Sequence, residues 1–303
     1  MATLTDLSKL PAPDIIESLD FEALLAKRKQ KFISLYAVDE QEEVAKTLQY
    51  ESEPIVKLLQ ESTYYELIIR QRINEASHAL MIAHAKGSDL DNLGANFHVY
   101  RLIIQHADDS VTPAIKEIKE SDADFRLRIQ AAFEGLSVAG PRAAYEFYAR
   151  SADGRVLDAA AESPSPACVT LAILSRDNNG AASDELIKIV EKVVNDDYRR
   201  PVADRVTVKS VELIEYKINA KLFLYSGPES EPIKKAALNN LQEYISEKHR
   251  IGRRISRSAI ISALHVPGVQ RVELIEPSRD VLINREQASY CSDHQVEVAG
   301  YDK

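Results

Sequence analysis

Chemistry on a protein needs particular side chains at particular separations, so the histidines, cysteines, paired acids and glycine-rich turns come first. The chain carries seven histidines, none in the His-Glu-x-x-His spacing that sets two metal ligands on one helix face. His78 and His84 are six residues apart; on a continuous helix they would lie about 600° apart and face different ways. Asp89 and Asp91 open like a calcium loop, but the twelfth position, which needs a bidentate glutamate, is Tyr100. Leu90, Leu93 and Phe97 instead recur at helical spacing, which makes the two aspartates first-turn acids. Cys168 and Cys291 form no Cys-x-x-Cys pair and read as reduced thiols packed as small apolar groups. The chain has only 10 glycines and no G-x-S-x-G, P-loop or G-x-G-x-x-G motif, so it offers no nucleophile elbow and no phosphate cradle. The expectation is a chain that is not an enzyme, with no cofactor, no metal and no small-molecule substrate. Two other readings stay open: an enzyme whose carboxylate pair is hidden among 47 acidic residues, and a regulatory or ligand-binding α/β protein without catalysis.

One concentration of charge stands out. His249, Arg250, Arg253, Arg254 and Arg257 lie between two helical stretches. Arginines at a helix C-terminus complement its dipole and solvate a loop; as a functional patch, Arg250, Arg253, Arg254 and Arg257 suit an acidic protein partner. The net charge of −9 argues against nucleic acid, whose binding needs a basic balance or stripe. No apolar run reaches the roughly 18 residues of a membrane span. The stretch MATLTDLSKLPAPDIIESLD has neither a basic start nor an apolar core, so the chain is expected to stay in the cytoplasm where it is made.

The elements that would position such surfaces change character along the chain. Before about residue 150 the periodicity is helical. Asp20 caps a first helix within Ile15–Ala37, and Asp39 is placed to cap a second, with Glu40, Glu42 and Glu43 in its first turn. Pro54 suits the first turn of a long helix running to about Lys86. There Ile55, Leu59, Ser62, Glu66, Ile69, Ile73, Ala76, Leu80 and Ala83 alternate four and three apart, a heptad seam with polar breaks at Ser62 and Glu66. Such a helix spans about 45 Å and either crosses a core or packs in a bundle with other chains. Its seam, Ile55, Leu59, Ile69, Ile73 and Leu80, is the candidate partner-binding surface. Gly87 is read as its stop.

Beyond residue 150, β-branched runs alternate with amphipathic helices. Strands are expected at Arg155–Ala160, Val169–Leu174, Val206–Ile214, Tyr216–Tyr225, Val269–Ile275 and Val281–Ile283, with turns at Ser163–Pro166, Asp177–Gly180, Gly227-Pro228 and Pro267-Gly268. Helices follow Ser183, run from Ile233 to about Lys248, and span Ser256–Leu264. YARSADGRVLDAAAESP and ALHVPGVQRVELIEP both read as helix, tight turn, strand, proline, a weak internal repeat. The fold class is therefore α+β: a long-helix region over residues 1–138, then small mixed α/β modules over 139–303.

Several segments resemble the phage baseplate J-like family. They are Gly87–Arg101 (GSDLDNLGANFHVYR), the acidic-then-arginine stretch Asp122–Arg128, Ala139-Gly140 with Ala144-Tyr145, the units Arg155–Pro166 and Val266–Pro277, and the opening PDIIESLDFEALLA. Cys168 departs from the pattern, standing where a glycine or other small residue is usual. The resemblance implies a structural wedge component of a contractile-tail baseplate, located in the virion. It also implies that two copies combine with another wedge protein through long helices, and that neighbouring wedges form a ring around the tail hub. It carries over no catalytic residue and no cofactor.

Overall fold

The computed structural model describes residues 7, 10, 13–136, 140–225 and 230–301. The expected turn at Gly227-Pro228 and the Ala139 of the family resemblance lie outside them. The chain divides into two compact units at residues 96 and 97.

The first unit is helical: α1 Phe21–Ile33, α2 Gln41–Thr47, α3 Pro54–Ala79 and α4 Gly87–Ala95. Asp20 caps α1 by accepting from the Ala23 amide. The cap of α2 is Glu40 rather than Asp39, and its side chain makes no capping bond. Pro54 begins α3, where its missing N–H costs nothing. At 26 residues α3 is about 39 Å long, shorter than its sequence suggests. It ends at Ala79, and Gly87, at φ +51, is the first residue of α4 rather than the stop of α3. Because the chain turns at 80–86, the His78 and His84 rings meet at a tilt of 38° with centroids 4.8 Å apart, against the expectation from a continuous helix.

In the second unit a small ribbon, β1 Ile103–Gln105 and β2 Ile118–Lys119, precedes α5 Asp122–Ala131. Ser121 caps α5 through the Asp124 amide. After a 3₁₀ turn at Ala132–Leu136 come α6 Arg142–Ala152, β3 Val156–Ser165, β4 Cys168–Ser175, α7 Asp184–Val194 and β5 Arg205–Ser210. The sheet order is β3-β4-β5, antiparallel then parallel. The β3–β4 turn falls at Pro166-Ala167, two residues later than expected, with Ala167 at φ +61. Ser183 caps α7 through the Leu186 amide, as read from the sequence. Tyr145 and Ala149 of α6 and Leu186, Val190 and Val194 of α7 cover one face of this sheet.

The remaining elements are β6 Glu212–Leu224, α8 Ser230–Lys248, α9 Arg257–Leu264, β7 Val269–Glu276 and β8 Gln287–Tyr301. Their sheet, β7-β6-β8, repeats the first pattern: a central strand with one antiparallel and one parallel neighbour. The break between β5 and β6 falls at Val211, not at Glu215. Val281 makes only an isolated bridge to Ile255; the strand the sequence did not announce is β8. One face of this sheet buries Ile218, Ala220, Leu222 and Leu224 against Ala237 and Leu241 of α8 and Ile260 and Leu264 of α9. Ala160, Ala172 and Leu174 of the first sheet meet Val211, Ile251 and Ala288, so the two modules share a core. In both repeat units a glycine makes the turn: a Cβ on Gly154 would meet the Ile103 carbonyl oxygen at 2.2 Å, and one on Gly268 would meet Ile233 at 2.5 Å.

Candidate assembly interface

Helix α3 has two unlike faces. Val56, Thr63 and Asn74 are buried. The Asn74 amide brackets the backbone of Glu17, accepting from its N–H at 3.2 Å and donating to its carbonyl at 2.9 Å. The two polar breaks in the seam have a partner the sequence could not reveal. Arg28 of α1 donates through Nη1 to Ser62 Oγ at 2.7 Å and through Nε to Glu66 Oε2 at 2.8 Å. Arg70 donates to the other Glu66 oxygen at 2.9 Å and pairs with Glu17. Arg28 first and then Arg70 hold the Glu66 carboxyl below its usual range. Self-contained, this network fixes α1 along α3 without covering its apolar side.

That side is open. Among the expected seam residues, Ile55 and Leu59 are half-buried, whereas Ile69 is 61% exposed, Ile73 51% and Leu80 76%. Leu58 at 57% and Tyr65 at 58% extend the same surface. Beside it runs an open groove of about 690 Å³ flanked by Ile15, Tyr65, Ile69 and Ile73. Contiguous exposed apolar side chains of this kind make the stripe a candidate for contact with another chain.

The arginines near 250 do different jobs. Arg250 is mostly buried and donates to Asp124 Oδ1 at 2.7 Å. Asp124 also accepts from Arg176 at 2.8 Å, so one carboxylate joins α5, the end of β4 and the loop after α8. Nearby Arg128 and Glu120 form a buried ion pair at 2.8 Å, and Asp158 accepts from the Ile251 amide at 3.1 Å. Arg257 donates to the carbonyls of Leu274 and Pro277. Arg253 and Arg254 are exposed, Arg253 resting 3.6 Å from Glu247.

Among the described residues no three histidine, cysteine or acidic side chains gather as metal ligands, and no helix is long and apolar enough to cross a membrane. Cys168 and Cys291 are both free and half-buried.

Three family models match successive parts of the chain. The Baseplate J-like N-terminal domain matches residues 51–108, the Baseplate J-like central domain residues 137–210, and the Baseplate J-like protein C-terminal domain residues 216–293. Baseplate protein J of Escherichia phage P2 is 57% identical over 300 residues, covering 99% of both chains. A chain from a cryo-EM structure of the anti-feeding prophage baseplate aligns with a TM-score of 0.41 and 11% identity, over 61% of this chain and 47% of that one.

Proposed function

This chain belongs to the baseplate J-like family, and from that premise we propose that it is a wedge component of a contractile phage tail. Its role is structural, in the baseplate at the virion tail, where it assembles with other baseplate proteins. In the finer reading, residues 1–138 are the wedge-bundle region and 139–303 the α/β modules. Two copies combine with another wedge protein along α3, and neighbouring wedges close into a ring around the tail hub. Assembly takes place in the host cytoplasm. The reading gives the chain no catalysis, cofactor, nucleic acid or membrane partner; a net charge of −9 favours protein surfaces.

The observation that carries it is the open apolar stripe of α3. Ile69 and Ile73 stand exposed on a helix already fixed to α1 by the Arg28–Glu66–Arg70 network. Arg253 and Arg254 form the solvent-facing part of the basic patch, offered to an acidic partner surface, while Arg250 and Arg257 hold the loop that carries them. Replacing Ile69→Glu together with Ile73→Glu tests the reading. Co-purification with wedge partners and intact baseplates should be lost while the protease-resistant pattern of residues 97–301 is retained. Intact baseplates from the double variant overturn it.

A further inference from the structure

Strand β6 is longer than its antiparallel partner. Its ladder with β8 runs from Glu212 to Leu224, but its ladder with β7 covers only Asn219 to Leu224. From Leu213 to Lys217 no strand lies on the side that β7 would occupy. Backbone alternation tells which groups this leaves open. The Glu212 amide donates to the Glu286 carbonyl on the β8 side, and the Tyr225 amide donates to the Gly268 carbonyl on the β7 side. Every irregularity in the two ladders is an extra residue on β7 or β8 and none is on β6, so the alternation holds along all of β6. Even-numbered residues therefore turn N–H and C=O towards β8, and odd-numbered ones towards β7. The Tyr216 carbonyl obeys the rule, accepting from the Ser292 hydroxyl of β8. Leu213, Glu215 and Lys217 thus present their backbone groups to a vacant lane, and among the described residues nothing bonds to them there.

The lane is a walled cleft rather than a bare edge. Pro277 ends β7, having no N–H to continue the ladder, and the chain beyond it is held aside. Arg257 donates its side chain to the Pro277 carbonyl and its amide to Asp280 Oδ1, the latter at 2.9 Å. Val281 exchanges both backbone bonds with Ile255, at 2.9 and 3.0 Å. Residues 276–282 therefore face Ile214–Lys217 across about 780 Å³, within the usual range of binding pockets. A wall on the far side leaves room for one strand and stops a second from following. At the opposite edge of the sheet, β8 carries the extra residues Ser292 and Ala299 and the charges Asp293 and Glu297, devices that oppose pairing.

The neighbouring register says what kind of strand fits. Lys221 stands between two acids, Glu273 of β7 and Glu297 of β8. Four residues earlier, on the same face, Lys217 has Asp293 on its β8 side and no residue on the other. Glu215 shares that exposed face, and among the described residues neither it nor Lys217 makes an ion pair. Ile214 and Tyr216 point to the opposite face, where Tyr216 joins the core.

We propose that this lane receives an extended segment of a different protein chain, added as a strand antiparallel to β6 in the place that β7 leaves. The segment carries an acidic side chain opposite Lys217, a basic one opposite Glu215 and apolar ones opposite Tyr216 and Ile214. Main-chain bonds supply the affinity and the alternate side chains the selectivity. The inference does not depend on the surface of α3.

An end-blocked, fluorescein-labelled peptide, Val-Glu-Val-Lys-Val-Thr, matches Ile218 back to Leu213 in that order and tests the proposal by anisotropy with the full chain. Saturable binding is expected. Glu215→Pro removes one lane-facing N–H and leaves the β8 ladder whole, the setting in which an edge strand tolerates proline; it should weaken binding about tenfold. Glu215→Ala keeps the amide and should bind within about fivefold of the parent. If Glu215→Pro does not fold, a peptide N-methylated at its Glu and Lys, whose amides face β6, makes the same comparison on the parent chain. The absence of saturable binding up to millimolar peptide overturns the proposal. So does binding that neither the proline nor the methyl groups weaken. Self-association of the full chain that Glu215→Pro abolishes assigns the lane to a second copy and also overturns it. Whether Ile69→Glu with Ile73→Glu builds baseplates bears on the α3 reading alone.

Discussion

Asp124 is a single carboxylate on which two arginines from separate modules converge, and removing it makes a quantitative test of the packing. Its oxygens lie 2.8 Å from Arg176 and 2.7 Å from Arg250, and the three side chains are only 17–20% exposed. Arg128 and Arg150 line the same small pocket. Asp124→Asn preserves the shape and one acceptor but takes from two largely desolvated guanidinium groups the carboxylate that pairs directly with both, leaving Glu120 and Asp158 as the nearby charges. Breaking one partner of a buried pair costs roughly 3–5 kcal/mol; partial exposure here and the acceptors retained at Gly154 and Leu157 place the expected loss near the bottom, about 3 kcal/mol. With a urea dependence of ~3 kcal/mol per molar for a unit of this size, the midpoint should fall by about 1 M. The surface pair Lys46–Glu42, whose side chains are 68% and 83% exposed, is the control: Glu42→Gln should cost no more than about 0.5 kcal/mol. Urea titrations of the full chain, followed by a probe in residues 97–301, give both values. An Asp124→Asn variant within 1 kcal/mol of the parent would show that the two arginines are solvated well enough to need no carboxylate, and the reasoning would be wrong.

Two further outcomes follow from the same module. Gly154→Ala sets a methyl group 2.2 Å from the Ile103 carbonyl oxygen and 2.8 Å from its carbon; since both are backbone atoms, the ribbon β1–β2 must shift, and thermal melting should report a loss of about 2–3 kcal/mol, an unchanged Tm counting against the contact. Glu146 accepts from the Ala161 amide, and burial raises its carboxyl above the ordinary value of 4.5. A carboxyl raised in the folded state supports folding below its unfolded value and loses that contribution as pH climbs through the folded one. Glu146→Gln should therefore melt higher than the parent at pH 7 and converge with it near pH 4, and parallel pH profiles for the two proteins would refute this.

Some local signals in the sequence held and others, such as Asp39 as a cap and Gly87 as a stop, did not. Asp20 and Ser183 cap the helices that follow them, and Pro54 opens α3. Signals failed where the decisive partner is distant. Nothing in His78–Lys86 is a helix breaker, yet α3 stops at Ala79. Strand β8 escapes notice because Ser292, Asp293, His294 and Gln295 leave it without an apolar run, and it is its ladder to β6 that makes it a strand. Arg250 looks like one of a surface cluster because its carboxylate is 126 residues away in the chain. The seam on α3 was legible as a pattern, but which edge of it faces outward depends on Arg28, whose bonds to Ser62 and Glu66 turn two apparent flaws into the attachment of α1.

The parallel ladder between β6 and β8 also sets a schedule for folding. It runs from Glu212↔Gln287 to Leu224↔Tyr301, and its first residues are 75 positions apart. Closing so large a loop costs entropy before any ladder bond repays it, and parallel pairings of this kind form slowly. Helices α8 and α9 and strand β7 all lie within the intervening chain and can collect on β6 by shorter-range contacts. Until β8 arrives, the open edge of β6 is a template for a strand from any neighbouring chain. The carboxylates at Asp293 and Glu297, carried on the strand that closes the edge, are the kind of charge that discourages the completed sheet from growing further.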